Sequence, residues 1–267
     1  MDKSRIYIRR TDDRPAFVTK VFEIFKDEIR GKKILLKPNI VSHEPYPTTT
    51  HPEVLGTLLD LLQSEDVTCG DAPAADLLRP GKALKNHELT ALCRNRGIEM
   101  LNLYDHPMPK QESPRGFSIK FSTVPRNYDY VISLPVLKSH INVRMTGALK
   151  NQFGYLARSE RTRLHMRGPA SLEQAIAELN VMCPANLFIV DAVITLSGAN
   201  EMRHRGKPTH LGYMLAGLDP VALDAFGLTL LKKTDPRLKG LSSEDIKYLR
   251  LAHEFGVGRF EYEIEEI

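Results

Sequence analysis

Residues 131–154, VISLPVLKSHINVRMTGALKNQFG, hold the densest set of chemistry-bearing side chains in the chain. An apolar run ends in Lys138 and His140, and Thr146, Gly147, Lys150, Asn151 and Gly154 follow at near-helical spacing. Cations, an amide and small residues with little bulk between them suit a place where backbone and positive charge approach an anionic ligand. On a helix Gly147, Asn151 and Gly154 share one face, with Thr146 and Lys150 on the next. Lys138, His140 and Lys150 are the catalytic candidates. His140 is the expected general acid or base, because an unperturbed imidazole titrates near neutral pH. A buried lysine with a depressed pKa would serve as a base, and a charged one would hold carboxylate or phosphate. Lys37, Asn39, Thr146 and Asn151 are the candidate ligand-binding residues.

Asp71 and Asp191 are expected to orient these cations or to hold a divalent metal. His43, His51 and His140 could join such a metal site, although none forms an H-E-x-x-H or comparable pair. His51 before Pro52 equally suits a helix start. Arg158, Arg161, Arg163 and Arg167 read mainly as a solvated face or loop, and Asp219 reads as a helix cap. Asp224, in the helix that follows, faces either core or crevice. No G-x-S-x-G, G-x-G-x-x-G or Walker pattern is present.

The elements that must position these groups alternate in type. Residues 34–36, 67–69, 131–134, 187–190 and 213–218 read as strands. Residues 52–65, 84–96, 171–182, 220–231 and 243–255 read as helices. Thr50-x-x-Glu53 and Ser171-x-x-Gln174 have capping-box form, and Asp219-Pro220 suits an N-cap followed by the first helical position. This alternation predicts an α/β fold with a mainly parallel sheet flanked by helices, as one domain over residues 1–267. A small antiparallel excursion is expected after the proline-rich stretch 105–116, with 117–121 as a strand. Five apolar runs finish near Lys37, Asp71, Lys138, Asp191 and Asp219. Ligands of open α/β sheets bind beyond the carboxyl ends of the strands, so parallel neighbours would converge these charges on one crevice.

Composition bounds the function classes. The 267 residues are 42% hydrophobic and 26% charged, with a net charge of +4. Both signs are mixed, with no Lys/Arg-rich tract and no aromatic-studded basic stripe, which argues against nucleic acid as a partner. No apolar run reaches membrane-spanning length and the N-terminal residues lack an apolar signal region, so no membrane partner and a cytoplasmic location are expected. Cys69, Cys93 and Cys183 are far apart and form no C-x-x-C pair, which disfavours a zinc ribbon, a disulfide framework or an iron–sulfur cluster.

Several segments occur in a telling order: Leu36-Lys-Pro-Asn39, Thr50-His-Pro-Glu-Val54, Gly70-Asp71, Leu134-Pro-Val-Leu-Lys-Ser-His140, Thr146-Gly-Ala-Leu-Lys-Asn-Gln-Phe-Gly154, Ile189-Val-Asp191 and Ala216-Gly-Leu-Asp-Pro-Val-Ala-Leu-Asp224. Together they resemble the domain of unknown function 362 family, from about residue 33 to residue 231. The resemblance implies a prokaryotic intracellular α/β protein and no particular activity. Many members of that family carry a ferredoxin-like module with cysteine-rich cluster motifs. This sequence departs from that pattern, so no electron transfer through such a module is expected, although a cluster on the three scattered cysteines is conceivable. The residues favour an enzyme acting on a small anionic metabolite, with its cofactor unassigned and a divalent metal left open. The alternative is a non-catalytic accessory or binding protein in a redox or iron–sulfur pathway, with a redox partner protein. A purely structural role ranks last, because clustered lysines repel one another.

Overall fold

The computed structural model describes residues 3–267. β1 (Ser4–Arg10) and α1 (Arg14–Ile29) lead into β2 (Lys33–Pro38), α2 (Pro52–Leu61), β3 (Asp66–Asp71), α3 (Pro80–Lys85), α4 (Glu88–Arg94) and β4 (Met100–Asn102). An antiparallel pair, β5 (Lys110–Glu112) and β6 (Ser118–Lys120), precedes β7 (Tyr130–Leu134). A second antiparallel pair, β8 (Lys138–His140) and β9 (Arg144–Thr146), runs into the one-turn α5 (Ala148–Asn151), then α6 (Arg158–Met166) and α7 (Pro169–Met182). β10 (Leu187–Ser197), β11 (Lys207–Gly217), α8 (Pro220–Leu231), α9 (Lys247–Glu254) and β12 (Tyr262–Glu266) complete the described chain.

The large sheet has the order β12-β1-β11-β10-β7-β2-β3-β4. Neighbours from β10 to β4 are parallel, and β11 is antiparallel to both β1 and β10. The fold is therefore mixed α/β with a mainly parallel sheet, as the alternation of elements predicts. Successive residues of a strand point to opposite faces, and here both faces are covered. Ile34, Leu36, Cys69, Ile132 and Ile189 pack with α1, α2 and α4 on one side. Ile6, Ile8, Phe188, Val190 and Leu215 pack with α7, α8 and α9 on the other. Burial on two faces is why β2 and β7 read as unbroken apolar runs rather than alternating ones. No helix among the described residues is long and apolar enough to cross a membrane.

Several expected boundaries move for local reasons. The helix at 84–96 is two helices, α3 and α4, with His87 between them accepting from the Leu89 N–H through Nδ1 at 3.2 Å. Residues 50–53 do not form a capping box. His51 caps α2, its Nδ1 accepting from the Glu53 N–H at 3.2 Å, while Thr50 Oγ1 bridges the Asn39 N–H and the Leu134 carbonyl. α7 begins at Pro169, so Ser171 lies inside it. β1 and α1 fall outside the segments whose sequence pattern marks strands and helices. The apolar residues Phe17, Val18, Val21, Phe25 and Ile29 of α1 nonetheless stand at helical spacing.

Candidate functional site

Two motifs far apart in sequence explain each other in space. Asp219 caps α8, accepting from the N–H groups of Val221 and Ala222 at 2.8 and 3.0 Å. That fixes Asp224, buried one turn later. Its carboxylate accepts from the N–H groups of Ala148 and Leu149 at 2.6 and 3.1 Å and so caps α5. Gly147 is required there, because a Cβ would fall on the Asp224 carboxylate. Burial pushes the Asp224 carboxyl up to about 7, against the pull of its two N–H donors.

The far end of the same segment meets a second buried carboxylate. Lys37, at the end of β2, donates to Asp71 Oδ1 at 2.6 Å and to the Pro38 carbonyl at 2.9 Å. Asp71, at the end of β3, also accepts from the N–H groups of Ile40 and Ala72. A Cβ on Gly154 would lie 2.5 Å from both Asp71 Oδ1 and Lys37 Nζ. Asn151 ties the turn to the sheet through Nδ2, which donates to Ser133 Oγ at 2.9 Å and to the Lys37 carbonyl at 3.2 Å. Gly147, Asn151 and Gly154 therefore each have a distinct steric or hydrogen-bonding reason.

These contacts bound a cavity of about 680 Å³, within the range of small-molecule sites. Lys37, Asn39, Asp71, Lys138, His140, Thr146, Lys150 and Asn151 all line it. Lys138 Nζ donates to Asn39 Oδ1 at 2.9 Å and to the Thr48 carbonyl at 2.5 Å. Burial pushes the Lys138 ammonium down to about 7; Glu201 opposes that shift and Lys150 adds to it. Lys150 is pushed down to about 8 by burial and by the nearby Arg161 charge. Its Nζ sits 5.0 Å from the centre of the Phe153 ring. Burial also lowers Lys37, with Asp71 pulling the other way.

His140 occupies the expected place, but the premise of an ordinary imidazole pKa fails. Burial, then the charges of Lys150 and Lys138, hold it well below its usual value. Nδ1 accepts from the N–H groups of Asn142 and Val143 at 3.0 and 3.3 Å. The ring is therefore neutral with its proton on Nε2, a fixed donor in the cavity wall.

The two aspartates do not converge. β7 and β2 lie between β10 and β3, which separates Asp191 from Asp71 by three strand spacings, about 14 Å. Asp191 lies outside the cavity lining and is engaged by Arg14 Nε at 2.7 Å, Tyr46 Oη at 2.8 Å and its neighbour Val193 N–H at 2.9 Å. The residues do not fit the metal reading: among the described residues no group of three or more His, Cys, Asp or Glu side chains is arranged to hold an ion. His43 lies on a separate depression beside α3, and His51 is a helix cap. Asp219 is also absent from the crevice, because β11 is antiparallel to β10 and ends at the opposite edge. Cys69 and Cys93 belong to one core and Cys183 to the other, so the three cannot share a cluster.

Arg158 and Arg167 are exposed and Arg163 is half-buried, as a solvated face requires, but Arg161 departs from that reading. Arg161 is buried and donates to the carbonyls of Ala72, Pro73, Gly154 and Leu156. It locks the loop after β3 to the end of the 146–154 segment. Arg158 donates to the carbonyls of Ala75 and Leu77. Arg158, Arg161, Thr162 and His165 all line the cavity, and their i, i+3, i+4, i+7 spacing was a legible signal of one helix face. Buried Glu201, from the loop between β10 and β11, faces the same space and binds Arg203. It carries no sequence signal, because the loop reaches the cavity only through the long β10–β11 pair.

The molecule is thus an α/β protein with a lysine-rich cavity at the carboxyl ends of its parallel strands. The chain belongs to the domain of unknown function family DUF362, whose model matches residues 34–229. It is 28% identical over 222 residues to a thylakoid-associated protein of Synechocystis sp.. That match covers 77% of this chain and 64% of the relative, so the chain spans a little under two thirds of the curated relative's length. Among solved structures, the lactate racemase apoprotein from Thermoanaerobacterium thermosaccharolyticum aligns with a TM-score of 0.49 at 12% identity. That alignment covers 80% of this chain and 54% of the other.

Proposed function

We propose that the cavity takes a small anionic metabolite and that Lys138, His140 and Lys150 act on it. The observation that carries this reading is a set of unpartnered groups on one wall. Among the described residues, Lys150 Nζ has a ring beneath it and no ion-paired carboxylate, and the buried Thr146 Oγ1 and Asn151 Oδ1 have no hydrogen-bond partner. A buried polar atom left unpaired costs about 1–3 kcal/mol, which a bound ligand recovers. With His140 Nε2–H, these groups supply three donors and one acceptor around the same space.

The roles divide by environment. Lys37 is neutralised by Asp71 and shapes the floor, and Asn39 orients Lys138. Lys138, poised near pH 7, is the group that gives or takes a proton. Neutral His140 donates a hydrogen bond to the ligand rather than exchanging a proton with it. Lys150 holds the negative charge. The test is a thermal-shift screen of phosphorylated and carboxylated metabolites, with and without divalent metals. A true ligand raises the melting temperature with concentration, and Lys138→Ala and Lys150→Ala abolish the shift. A hit that stabilises both variants as much as the parent chain overturns the assignment.

A further inference from the structure

We infer that Lys150 is a covalent nucleophile, condensing through Nζ with the carbonyl carbon of a small oxo acid to form an imine. This deepens the proposed anion site and rests on it. Among the described residues three lysines line the cavity, and of these Lys150 has an amine with no hydrogen bond or ion pair. Lys37 Nζ is held by Asp71 and the Pro38 carbonyl, and Lys138 Nζ by Asn39 and the Thr48 carbonyl. Among the described residues no hydrogen-bond acceptor holds Lys150 Nζ in place; it lies by the Phe153 ring, and burial and the charge of Arg161 lower its pKa while Glu201 opposes that shift. Arg161 is fixed by four backbone carbonyls, so its charge stays where it is. A desolvated amine beside another cation is the setting in which lysine becomes nucleophilic. The value of about 8 leaves a useful neutral fraction near pH 7. Lys138 and His140, an acid and a hydrogen-bond donor, line the same cavity as Lys150.

The step balances on these groups. The Nζ lone pair forms the C–N bond while the carbonyl π pair moves to oxygen. Lys138 gives that oxygen a proton and takes one from Nζ, leaving a neutral carbinolamine. A second proton from the Lys138 ammonium turns the hydroxyl into water, which departs as the nitrogen lone pair forms the C=N bond. The products are a protonated imine on Lys150, one water and neutral Lys138. The substrate's carboxylate accepts from His140 Nε2–H and Thr146 Oγ1–H throughout.

The probe is glyoxylate, the smallest carboxylate bearing an aldehyde, trapped on the full chain with cyanoborohydride and located by peptide mass mapping. Oxalate, an anion of similar size that forms no imine, is the competitor and the thermal-shift ligand. One carboxymethyl group on Lys150 ahead of every other lysine, slowed by oxalate, is the expected result. Lys150→Arg, which keeps the charge, loses that adduct while its other lysines label as before. The wild-type map locates the adduct even where a variant fails to fold. Oxalate stabilisation with no preferential adduct on Lys150 overturns the imine and leaves the anion reading standing. Absence of both overturns the two together.

Discussion

The glycines of the 146–154 segment are where single atoms matter most. Gly154 faces the Lys37–Asp71 pair with no room for a Cβ. Both side chains are buried and hydrogen-bonded, so neither yields without breaking that pair. Gly154→Ala is therefore expected to destabilise the protein by about 1–3 kcal/mol, the usual cost of overpacking, read as a lower urea midpoint at unchanged slope. Charge gives a second expectation at this scale. Lys138 and Lys150 are depressed to about 7 and about 8, so an anion loses its ammonium partners as pH rises through that window. Binding of a hit from the screen should weaken roughly tenfold, about 1.4 kcal/mol, between mildly acidic and mildly alkaline buffer. A titration showing affinity that rises over the same range would contradict the assigned charges. The residue types at this site were legible in the sequence: Lys37, Asn39, Lys138, His140, Thr146, Lys150 and Asn151 all reach one cavity. Their protonation was not, because it depends on burial and on neighbours brought from other elements.

Among the elements, α5 depends on α8. It is one turn long and far too short to hold itself. The Asp224 carboxylate supplies the partner for its first N–H groups. Asp224→Ala should leave two buried donors unpaired, at about 1–3 kcal/mol each, and should remove ligand binding with it, because α5 carries Lys150 and Asn151. Calorimetry and a ligand titration on the same variant check both. The pH sign follows from the raised carboxyl. The folded state holds the Asp224 proton up to about 7, whereas an unfolded aspartate releases it near 4. The folded state therefore binds more protons in between, so this contribution is complete at low pH and is lost as pH rises through about 7. Asp224→Asn should flatten that part of the stability profile, seen as a smaller difference between urea midpoints at pH 5 and pH 8. α6 is an element whose meaning the sequence concealed. Its arginines looked like a solvated face, yet Arg161 gathers carbonyls from the loop after β3. Arg161→Met should loosen residues 72–80 and raise their cleavage by a protease without global unfolding.

At the scale of the molecule, the sheet order separates two charged centres that the sequence suggested were one. Asp191 is clamped by Arg14, which comes from the start of α1, and by Tyr46. Arg14→Met should cost about 3–5 kcal/mol, because it strands a buried carboxylate. It should leave anion affinity within about twofold, since Asp191 is not in the cavity lining. A large loss of affinity with intact folding would show that the two centres are coupled. The α/β class, the parallel strands and the lysine–histidine–amide set were determined by the sequence itself, through apolar runs that mark strands buried on both faces and through polar residues placed where those runs stop. Which strand ends share a crevice was decided only by the tertiary structure. Sheet order and strand direction are set by long-range packing, and they put Asp71 beside Lys37, sent Asp191 to Arg14, turned Asp219 to the far edge, and brought Arg161 and Glu201 to a cavity that no local pattern assigns them.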